Sequence, residues 1–453
     1  MSFVSDNSEL LKSMFERTLF TAWRKGDPND PYGRLELIVT ADCNLRCRYC
    51  YMFRYGDKLC PPSANNRDDI REHTKMICDW TIENGYRPSV ELFSGSPLSQ
   101  DICLEVLDII YDKFKDQPED KKWLHIIIPT NMSFLLNDDL TERVKDLYDR
   151  FMDIKMPILL SASLEGKYME DNRPFKFNQN IPGLFLPPGP DDPRDDAYYD
   201  KTMEFIRDYN CGTHPMIYSR KIEDWKKNFL WYQEMFEKHG ISWQNMYLLE
   251  VRNIEWTDEQ LLELCDFIRF LINWTFEKCG KDKQRFIDYV FRHGFNILRL
   301  PFCTTARGLT CSIQTCLFVR LGDLKIVPCH RLAYDGYEYG RFIVKDGKIV
   351  DIEAKNVEMA IGVHSYAGTN APQCQDCLIN TTCSRQCLGS CLESIGDPFT
   401  QIPTVCKMMH MKYYTIIDEF KKLGVYELAC NRAGKETTWM LNKLYELGGK
   451  QDG

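Results

Sequence analysis

Between residues 34 and 251, short apolar runs alternate with longer segments in which apolar residues recur every three or four positions. The short runs predict strands, and the longer segments predict helices. Six strands are predicted, at residues 35–40, 90–93, 125–130, 158–164, 213–219 and 246–251. Strands that alternate with helices form a parallel sheet, with functional groups at the carboxyl-terminal ends of the strands. We therefore predict an α/β fold built on a partial (β/α)6 barrel of the TIM type.

The remaining sequence predicts helices and one cysteine-rich segment. Helical periodicity occurs at residues 9–25, 257–279, 283–294, 407–423 and 436–447. The predicted parts are an N-terminal helical segment (1–34), the partial barrel (35–255), bridging helices (256–302), a cysteine-rich domain (303–410) and C-terminal helices (411–453). A proline- and glycine-rich stretch at 181–194 predicts a long loop, which is either a surface excursion or a lid over a substrate.

Composition and charge exclude several classes of protein. A hydrophobic content of 44% is typical of globular chains. The net charge of −9 argues against a nucleic-acid partner held through phosphate contacts. No run of 18 uncharged apolar residues is present, and the first residues carry acids where a signal peptide would be basic. We expect a soluble cytoplasmic protein with no membrane partner.

Twenty cysteines in a long chain without an export signal indicate metal or iron–sulfur ligands rather than disulfides. Cys43, Cys47 and Cys50 follow the first predicted strand directly. Three thiolates can hold three irons of a cubane cluster and leave the fourth iron open to a ligand with an amine and a carboxylate. The alternative is a zinc knuckle, but zinc takes four ligands and favours Cys-x2-Cys pairs, so the odd count favours a cluster.

This Cys-x3-Cys-x2-Cys spacing, with Tyr49 before the last cysteine, resembles the signature of the radical S-adenosylmethionine (SAM) superfamily. The resemblance implies that a [4Fe–4S] cluster on Cys43, Cys47 and Cys50 cleaves SAM to methionine and a 5′-deoxyadenosyl radical, which abstracts a substrate hydrogen. These three cysteines are the predicted catalytic residues. The implied electron donor is a flavodoxin- or ferredoxin-type protein.

Two further motifs resemble the regions of that superfamily that bind SAM. Thr130-Asn131 resembles the Thr-Asn pair that closes the third strand near SAM. Ser163, within Ser-Leu-Glu-Gly, and the later Arg173 resemble the serine and arginine that contact the ribose and carboxylate of SAM. The ordinary alternative for a serine or asparagine at a strand end is a capping role.

One motif departs from the family pattern. Where relatives carry Gly-Gly-Glu-Pro after the second strand, this chain has Ser94-Gly95-Ser96-Pro97. Ser96 thus replaces the carboxylate that binds the amino group of SAM, so we expect weaker binding or compensation by Glu91 or Glu165. The implied SAM contacts are Tyr49, Ser94, Gly95, Ser96, Asn131, Ser163 and Arg173.

A second group of cysteines lies between residues 311 and 406. Alone, the Cys-x2-Cys-x5-Cys-x3-Cys run within it is compatible with a zinc ribbon or a ferredoxin-like site. Joined to the upstream triad, the group resembles the SPASM extension, which carries two auxiliary [4Fe–4S] clusters. The resemblance implies one set of Cys311, Cys316, Cys329 and Cys387, and a second set of Cys374, Cys377, Cys383 and Cys406. The implied cofactors are three [4Fe–4S] clusters and SAM.

Three residues near these sets have no assigned role. Cys303 and Cys391 are expected to be buried free thiols, with a hydrogen-atom donor near the substrate as the alternative. His330 stands where sulfatase-maturing relatives have an aspartate that acts as a base. The histidine weakens that assignment, although histidine can also act as a base near neutral pH.

Most SPASM relatives modify peptides or proteins. The leading hypothesis is a maturase of a ribosomally made peptide that forms a crosslink, such as a thioether or a carbon–carbon bond. The alternatives are an anaerobic sulfatase-type (formylglycine) maturase, a peptide epimerase, a small-molecule radical dehydrogenase and, from another class, an electron-transfer or zinc-structured binding protein. Many peptide maturases begin with a recognition domain of roughly 80 residues. Only about 34 residues precede the first strand here, so we expect that this domain is missing or that a separate protein supplies peptide recognition.

Overall fold

The computed structural model divides the chain into two compact units. One consists of Met1–Leu164, Arg173–Gly212 and Ser312–Ser365, and the other of Glu165–Asn172, Thr213–Cys311 and Tyr366–Gly453. The residues that the structure describes are 34–52, 58–177, 181–189, 191–292, 294–302, 313, 316–356, 358–360, 362–363, 372–380, 382–383 and 386–448. The helix predicted at 9–25 lies outside them.

A twisted nine-stranded sheet organises the first unit. Its strands run in the order β11-β10-β9-β8-β1-β2-β3-β4-β5. The strands are β1 Arg34–Thr40, β2 Ser89–Ser94, β3 His125–Thr130, β4 Ile158–Ala162, β5 Gly212–Thr213, β8 Cys316–Arg320, β9 Lys325–Val327, β10 Gly340–Lys345 and β11 Lys348–Ala354. β1 pairs in parallel with both β2 and β8, whereas β8 to β11 form an antiparallel meander.

The burial of β1 explains its central position. Leu35, Leu37, Ile38 and Val39 are each at most 1% exposed. A continuous apolar run is what a strand covered on both faces requires, and parallel sheets are covered in this way by the helices that cross over between their strands. The carboxyl-terminal ends of β1 to β4 therefore lie at one edge of the sheet, as predicted.

Helices α1 to α4 connect the parallel strands, and helices α5 to α12 belong to the second unit with the parallel pair β6 (Met216–Ile217) and β7 (Leu249–Glu250). The helices are α1 Arg67–Asn84, α2 Asp101–Phe114, α3 Asp138–Asp153, α4 Asp196–Asp208, α5 Trp225–His239, α6 Asp258–Lys278, α7 Lys283–Arg292, α8 Asn296–Arg299, α9 Leu388–Ile395, α10 Pro403–Lys422, α11 Tyr426–Ala433 and α12 Lys435–Gly448. Among the described residues, no helix is both long and apolar enough to cross a bilayer.

Polar side chains fix where several helices begin. Asn66, Asn137 and Asp195 each accept hydrogen bonds from backbone N–H groups in the first turn of α1, α3 and α4. Thr257 and Gln260 form a capping box at the start of α6. Such caps satisfy N–H groups that have no partner within the helix.

The predicted α/β fold with a parallel sheet is confirmed. The first four predicted strands agree with β1 to β4 to within two residues, and the helices predicted in the C-terminal half agree with α6, α7, α10 and α12. The strand predicted at 213–219 is interrupted, because Pro215 lies between β5 and β6 and has no N–H to donate to a neighbouring strand. The strand predicted at 246–251 is shortened to the two residues of β7. The described residues of 181–194 form no helix and no strand beyond a single bridge from Leu184 to Gln100.

The buried guanidinium of Arg320 ties β8 to two loops of the first unit. The side chain is 1% exposed and donates to both carboxylate oxygens of Asp323 and to Asp335. It also donates to the backbone carbonyls of Leu59 and Ala333, at 2.8 and 3.0 Å. These bonds use the planar fork of arginine, which a lysine ammonium cannot reproduce.

We therefore expect Arg320→Lys to lower the free energy of unfolding by about 2 kcal/mol, because buried carbonyls lose their donors. Chemical denaturation followed by circular dichroism measures this change. Arg341→Lys is the matched control, since the Arg341 side chain is 63% exposed in its pair with Glu353. Equal effects of the two substitutions would contradict a structural role for Arg320.

Candidate functional site

The three cysteines of the first motif lie on a loop that leaves the end of β1. Leu45, Cys47 and Phe175 form a small buried cluster, and Cys43, Tyr49 and Cys50 pack against it. The Cys50 N–H donates to the Cys47 carbonyl at 3.0 Å, and the Leu45 N–H donates to the sulfur of Cys43 at 3.4 Å. The structure therefore brings Cys43, Cys47, Cys50 and Tyr49 together, as the spacing predicted. We call residues 42–50 the cysteine loop.

The electrostatic surroundings of Cys43 favour a positively charged ligand. Removal from solvent and, to a smaller extent, the nearby Cys50 raise the pKa of its thiol to about 12. The Leu45 N–H and the guanidinium groups of Arg173 and Arg46 act in the opposite direction. A coordinated metal displaces the thiol proton outright, so this thiol set becomes ionised when cations bind between the cysteines.

Gly95 permits the close approach of the β2 end to the cysteine loop. A Cβ atom on Gly95 would lie 2.2 Å from the carbonyl oxygen of Asp42 and 2.6 Å from the Cβ of Cys43. The Gly95 N–H also donates to the carbonyl of Thr40 at 3.3 Å. No side chain fits between these backbones, so glycine is required here for steric reasons.

We expect Gly95→Ala to displace the cysteine loop and to reduce the iron that this loop retains, with little change in the rest of the fold. The physical reason is the contact with Cys43, which must open by about 1 Å for a Cβ to reach ordinary van der Waals distance. Iron content after anaerobic reconstitution measures the effect. Gly336→Ala is the control for backbone strain without a steric contact, because Gly336 has a φ of +95°, which disfavours a side chain, while a Cβ there meets nothing within 4 Å. Full iron content in Gly95→Ala would show that the loop tolerates the displacement.

Asn131 holds the cysteine loop through a buried polar network. Its Nδ2 donates to Oδ1 of Asn44 at 2.9 Å, and its Oδ1 accepts from the hydroxyl of Ser133 at 2.6 Å. Asn44, which is 0% exposed, donates in turn to the same hydroxyl at 2.7 Å. Both polar atoms of the Asn131 side chain therefore contact protein, and its predicted contact with SAM stays a prediction.

The serines after β2 also make contacts within the protein. The hydroxyl of Ser94 accepts from Nε2 of Gln100 at 3.0 Å, and the same nitrogen donates to the carbonyl of Asp42. Ser96 is 2% exposed, and its carbonyl accepts from the Ser99 N–H at 3.1 Å. These bonds shape the turn that places Gly95 under the cysteine loop.

The last two predicted SAM contacts also belong to the first unit: Ser163 directly follows β4, and Arg173 precedes Pro174, whose carbonyl accepts from the Arg46 N–H of the cysteine loop at 2.7 Å. The Ser163 N–H donates to the carbonyl of Thr130 at 2.7 Å, which joins the ends of β3 and β4. The carbonyl of Arg173 accepts from Arg194 at 2.9 Å, and the Arg173 guanidinium lies within electrostatic range of Cys43. Both residues are half-buried, so each can meet a ligand at this edge of the sheet.

Both proposed substitutes for the missing carboxylate have partners within the protein. Glu91 lies in the middle of β2 and pairs with Arg34 at 3.1 Å. Glu165 belongs to the second unit, is 0% exposed, and accepts from the Met216 N–H at 3.3 Å. Compensation by either residue stays a prediction.

Four cysteines of the second unit line a single cavity, which we call the four-thiol cavity. About 380 Å³ of space within it holds no atoms. Its lining residues are Cys374, Cys377, Ile379, Asn380, Cys383, Gln386, Gln401, Cys406, Met409 and His410. This is the complete second set implied by the family resemblance, gathered from two turns and the first turn of α10.

Charged groups adjoin this cavity. Burial raises the pKa of Cys383 to about 12, and the positive charge of Arg252 opposes the rise. Arg252 contacts Glu250 at 3.3 Å. Glu250 also pairs with Lys412, and the side chains of Glu250 and Lys412 are 1% and 0% exposed. The two cations outweigh the burial of Glu250 and lower the pKa of its carboxyl group. The group therefore carries a net positive charge beside Cys383.

The remaining set of cysteines is only partly described. In the β8–β9 hairpin Phe318 faces Val327, and extension of this register by two residues places Cys316 opposite Cys329. Cys387 begins α9 in the second unit, while Cys311 and Cys303 lie outside the described residues. Cys391 is 0% exposed, and burial raises its pKa to about 12, so it is a neutral thiol.

Sequence reasoning missed a buried acidic pair beside His330. Nδ1 of His330 lies 2.7 Å from Oε1 of Glu36, and its ring stacks on Phe93 with centroids 4.3 Å apart. Glu36 faces Glu91 across the β1–β2 register. Burial and the charge of Glu36 together raise the pKa of Glu91 to about 7. The available signal was Glu36 itself, a charged residue within the apolar run Leu-Glu-Leu-Ile-Val.

The pKa of Glu91 predicts a pH dependence of stability. The folded protein holds this proton up to about pH 7, whereas the unfolded chain releases it near its usual value of 4.5. Stability is therefore lost as the pH rises between these values, and Glu91→Gln should lose about 2 kcal/mol less across that interval. Chemical denaturation at pH 5 and pH 8 measures the difference, with the exposed Glu72→Gln as control. Parallel curves for wild type and Glu91→Gln would contradict the shifted pKa.

Comparison with known proteins concerns both sequence and fold. No protein-family model matches the chain. An uncharacterized protein of Methanocaldococcus jannaschii is 25% identical over 315 residues, which cover 66% of this chain and 96% of that protein. A structure of anSMEcpe with bound AdoMet superimposes with a TM-score of 0.55 at 14% identity, over 90% of this chain and 98% of that one. The chain has the radical SAM fold.

A second structure, of native anSMEcpe with bound AdoMet and the Cp18Cys peptide, gives a TM-score of 0.56 at 14% identity and covers 88% of this chain and 99% of that one. The radical SAM fold thus accounts for nearly the whole length of both proteins. It confirms, at the level of the fold, the resemblance drawn from the cysteine motifs.

Proposed function

We propose that this protein is a radical SAM enzyme with a SPASM domain, which modifies a ribosomally made peptide or protein by hydrogen abstraction. The observation that supports this proposal most directly is the cysteine loop at the end of β1, where Cys43, Cys47 and Cys50 pack together on the radical SAM fold. The proposed cofactors are SAM and three [4Fe–4S] clusters. Two of the clusters bind the SPASM cysteine sets given by the resemblance.

The residues around the cysteine loop fit such a cluster. When bound, the cluster would supply the electron that cleaves SAM. Arg46 and Arg173 stabilise ionised thiols at Cys43. Gly95 allows the end of β2 to lie directly against Cys43. Ser163 and Arg173 are the residues that would bind the ribose and carboxylate of SAM.

The four-thiol cavity favours a cluster over zinc. Zinc requires its ligands to converge on one ion at about 2.3 Å from each sulfur. Within the described ranges, no three His, Cys, Asp or Glu side chains converge in this way. In a cubane each thiolate binds a different iron, so four thiols that line one cavity without converging on a single point suit it better. This argues against a zinc-structured binding protein.

A peptide substrate is supported by the fold neighbour that was determined with a bound peptide. We propose a crosslink, such as a thioether or a carbon–carbon bond, as the product. A flavodoxin- or ferredoxin-type reductant and a separate recognition protein would act with the enzyme in the cytoplasm. The second candidate is a sulfatase-type maturase, favoured by the His330–Glu36 pair, because an imidazole held by a carboxylate can accept a proton.

Anaerobic reconstitution tests the proposed function. We expect about 12 irons per chain, from three cubanes of four irons each. Replacement of Cys43, Cys47 and Cys50 by alanine should remove about four of them and abolish the release of 5′-deoxyadenosine in the presence of dithionite and SAM. Cys78→Ala, which removes a buried thiol on α1, is the matched control. A zinc-filled protein without iron absorption would disprove the proposal.

Mass spectrometry separates the two candidate reactions. A sulfatase-derived peptide with one target cysteine is incubated with the reconstituted enzyme, SAM and dithionite. Conversion of that cysteine to formylglycine, lost in His330→Phe, would favour the sulfatase-type maturase. An unmodified peptide, with SAM still cleaved, would count against the sulfatase-type maturase.

A further inference from the structure

Two sulfurs of the four-thiol cavity lie within hydrogen-bond distance of side-chain nitrogens. Nε2 of Gln386 lies 3.2 Å from the sulfur of Cys406. Nε2 of His410 lies 3.3 Å from the sulfur of Cys377. Both nitrogens belong to residues that line the cavity, and neither residue has a role in the function proposed above.

The orientation of the Gln386 amide is fixed by one backbone residue. Its Oε1 accepts from the Ile402 N–H at 2.6 Å, and its Nε2 donates to the Ile402 carbonyl at 2.9 Å. A flipped amide would set oxygen against oxygen and nitrogen against nitrogen, so the hydrogen-bond network determines the assignment. The second N–H of Nε2 is therefore held toward Cys406.

The position of His410 follows from the helix that carries it. His410 lies four residues after Cys406 on α10, so the two side chains share one face of the helix. A thiolate that ligates iron has no proton and can only accept a hydrogen bond. His410 must then donate its Nε2–H to Cys377.

Besides these two hydrogen-bond donors, the positive charge of Arg252 lies near the thiols of the cavity. Arg252 acts electrostatically on Cys383, beside the buried pair of Glu250 and Lys412. Hydrogen bonds and positive charges at the sulfurs stabilise the more negative, reduced form of a cluster and so raise its reduction potential. The hydrogen bonds from Gln386 and His410 and the charge of Arg252 would therefore all raise the reduction potential of a cluster at this site.

We propose that Gln386 and His410 are positioning residues that raise the reduction potential of the cluster held by Cys374, Cys377, Cys383 and Cys406. This inference rests on the proposed function, because it requires that the four-thiol cavity holds an iron–sulfur cluster. The proposal gives the cluster a role in electron transfer. In a cluster with a purely structural role, the reduction potential would not matter to the reaction of the enzyme.

The test is a potentiometric titration of the full, reconstituted chain, followed by electron paramagnetic resonance. Gln386→Met and His410→Phe remove one N–H donor each and keep similar volume. We expect the midpoint of one cluster to fall in each variant, with the equilibrium constant for its reduction lowered roughly tenfold per hydrogen bond. The double variant should show a larger fall, and the signals of the other clusters should stay unchanged.

Two further variants separate tuning from a merely structural role. His410→Gln keeps an N–H donor of similar reach and should restore much of the wild-type midpoint. Gln233→Met is the matched control, because Gln233 is a buried glutamine of the same unit whose amide donates to the Trp243 carbonyl at 3.3 Å. It should leave every midpoint unchanged.

The outcomes separate failure of this inference from failure of the proposed function. If wild-type protein takes up no iron, the proposed function fails. If wild type holds its clusters and all midpoints in Gln386→Met and His410→Phe equal those of wild type, the tuning role is disproved. Loss of about four irons from folded Gln386→Met or His410→Phe also overturns it, because the residue is then needed to assemble a cubane of four irons.

Discussion

The backbone contact between Gly95 and the cysteine loop is the constraint on which the candidate site depends. It sets the end of β2 directly against Asp42 and Cys43, at a separation that leaves no room for a Cβ atom. The Asn44–Asn131–Ser133 network then holds the loop from the β3 side, and Phe175 covers it. The ends of β1, β2 and β3, together with the segment that contains Phe175, thus determine where the thiols of the cysteine loop lie.

Metal binding at this loop competes with protonation of its thiols. Cys43 resists ionisation because it is removed from solvent, and two arginines near it only partly compensate. A metal must displace the thiol proton and offset this cost, so the protonation of the loop and the occupancy of the site are thermodynamically linked. The same reasoning applies to Cys383 in the four-thiol cavity, where Arg252 is the compensating cation.

The sequence predicted the elements with strong local signals and missed contacts made across long separations. Apolar runs and helical periodicity located β1 to β4 and most C-terminal helices. Cysteine spacing identified the thiols of the cysteine loop, and the family resemblance implied the four cysteines of the four-thiol cavity. Nothing local indicated that β8 pairs with β1, since that contact joins segments nearly 300 residues apart. Likewise, Gln386 and His410 become notable only when folding brings them to the sulfurs.

The charges at Glu36, Glu91 and His330 pose a different energetic question. Glu36 is 3% exposed within β1, whose residues from Leu35 to Thr40 are all buried, and an apolar residue there would cost nothing to desolvate. Buried ion pairs are often no more stabilising than apolar side chains of similar volume. Stability alone therefore does not account for an acidic pair and an imidazole on this face of β1 and β2. Because His330 directly follows Cys329, these charges lie beside the β8–β9 hairpin that carries Cys316 and Cys329, and the base of the proposed sulfatase-type reaction would depend on them.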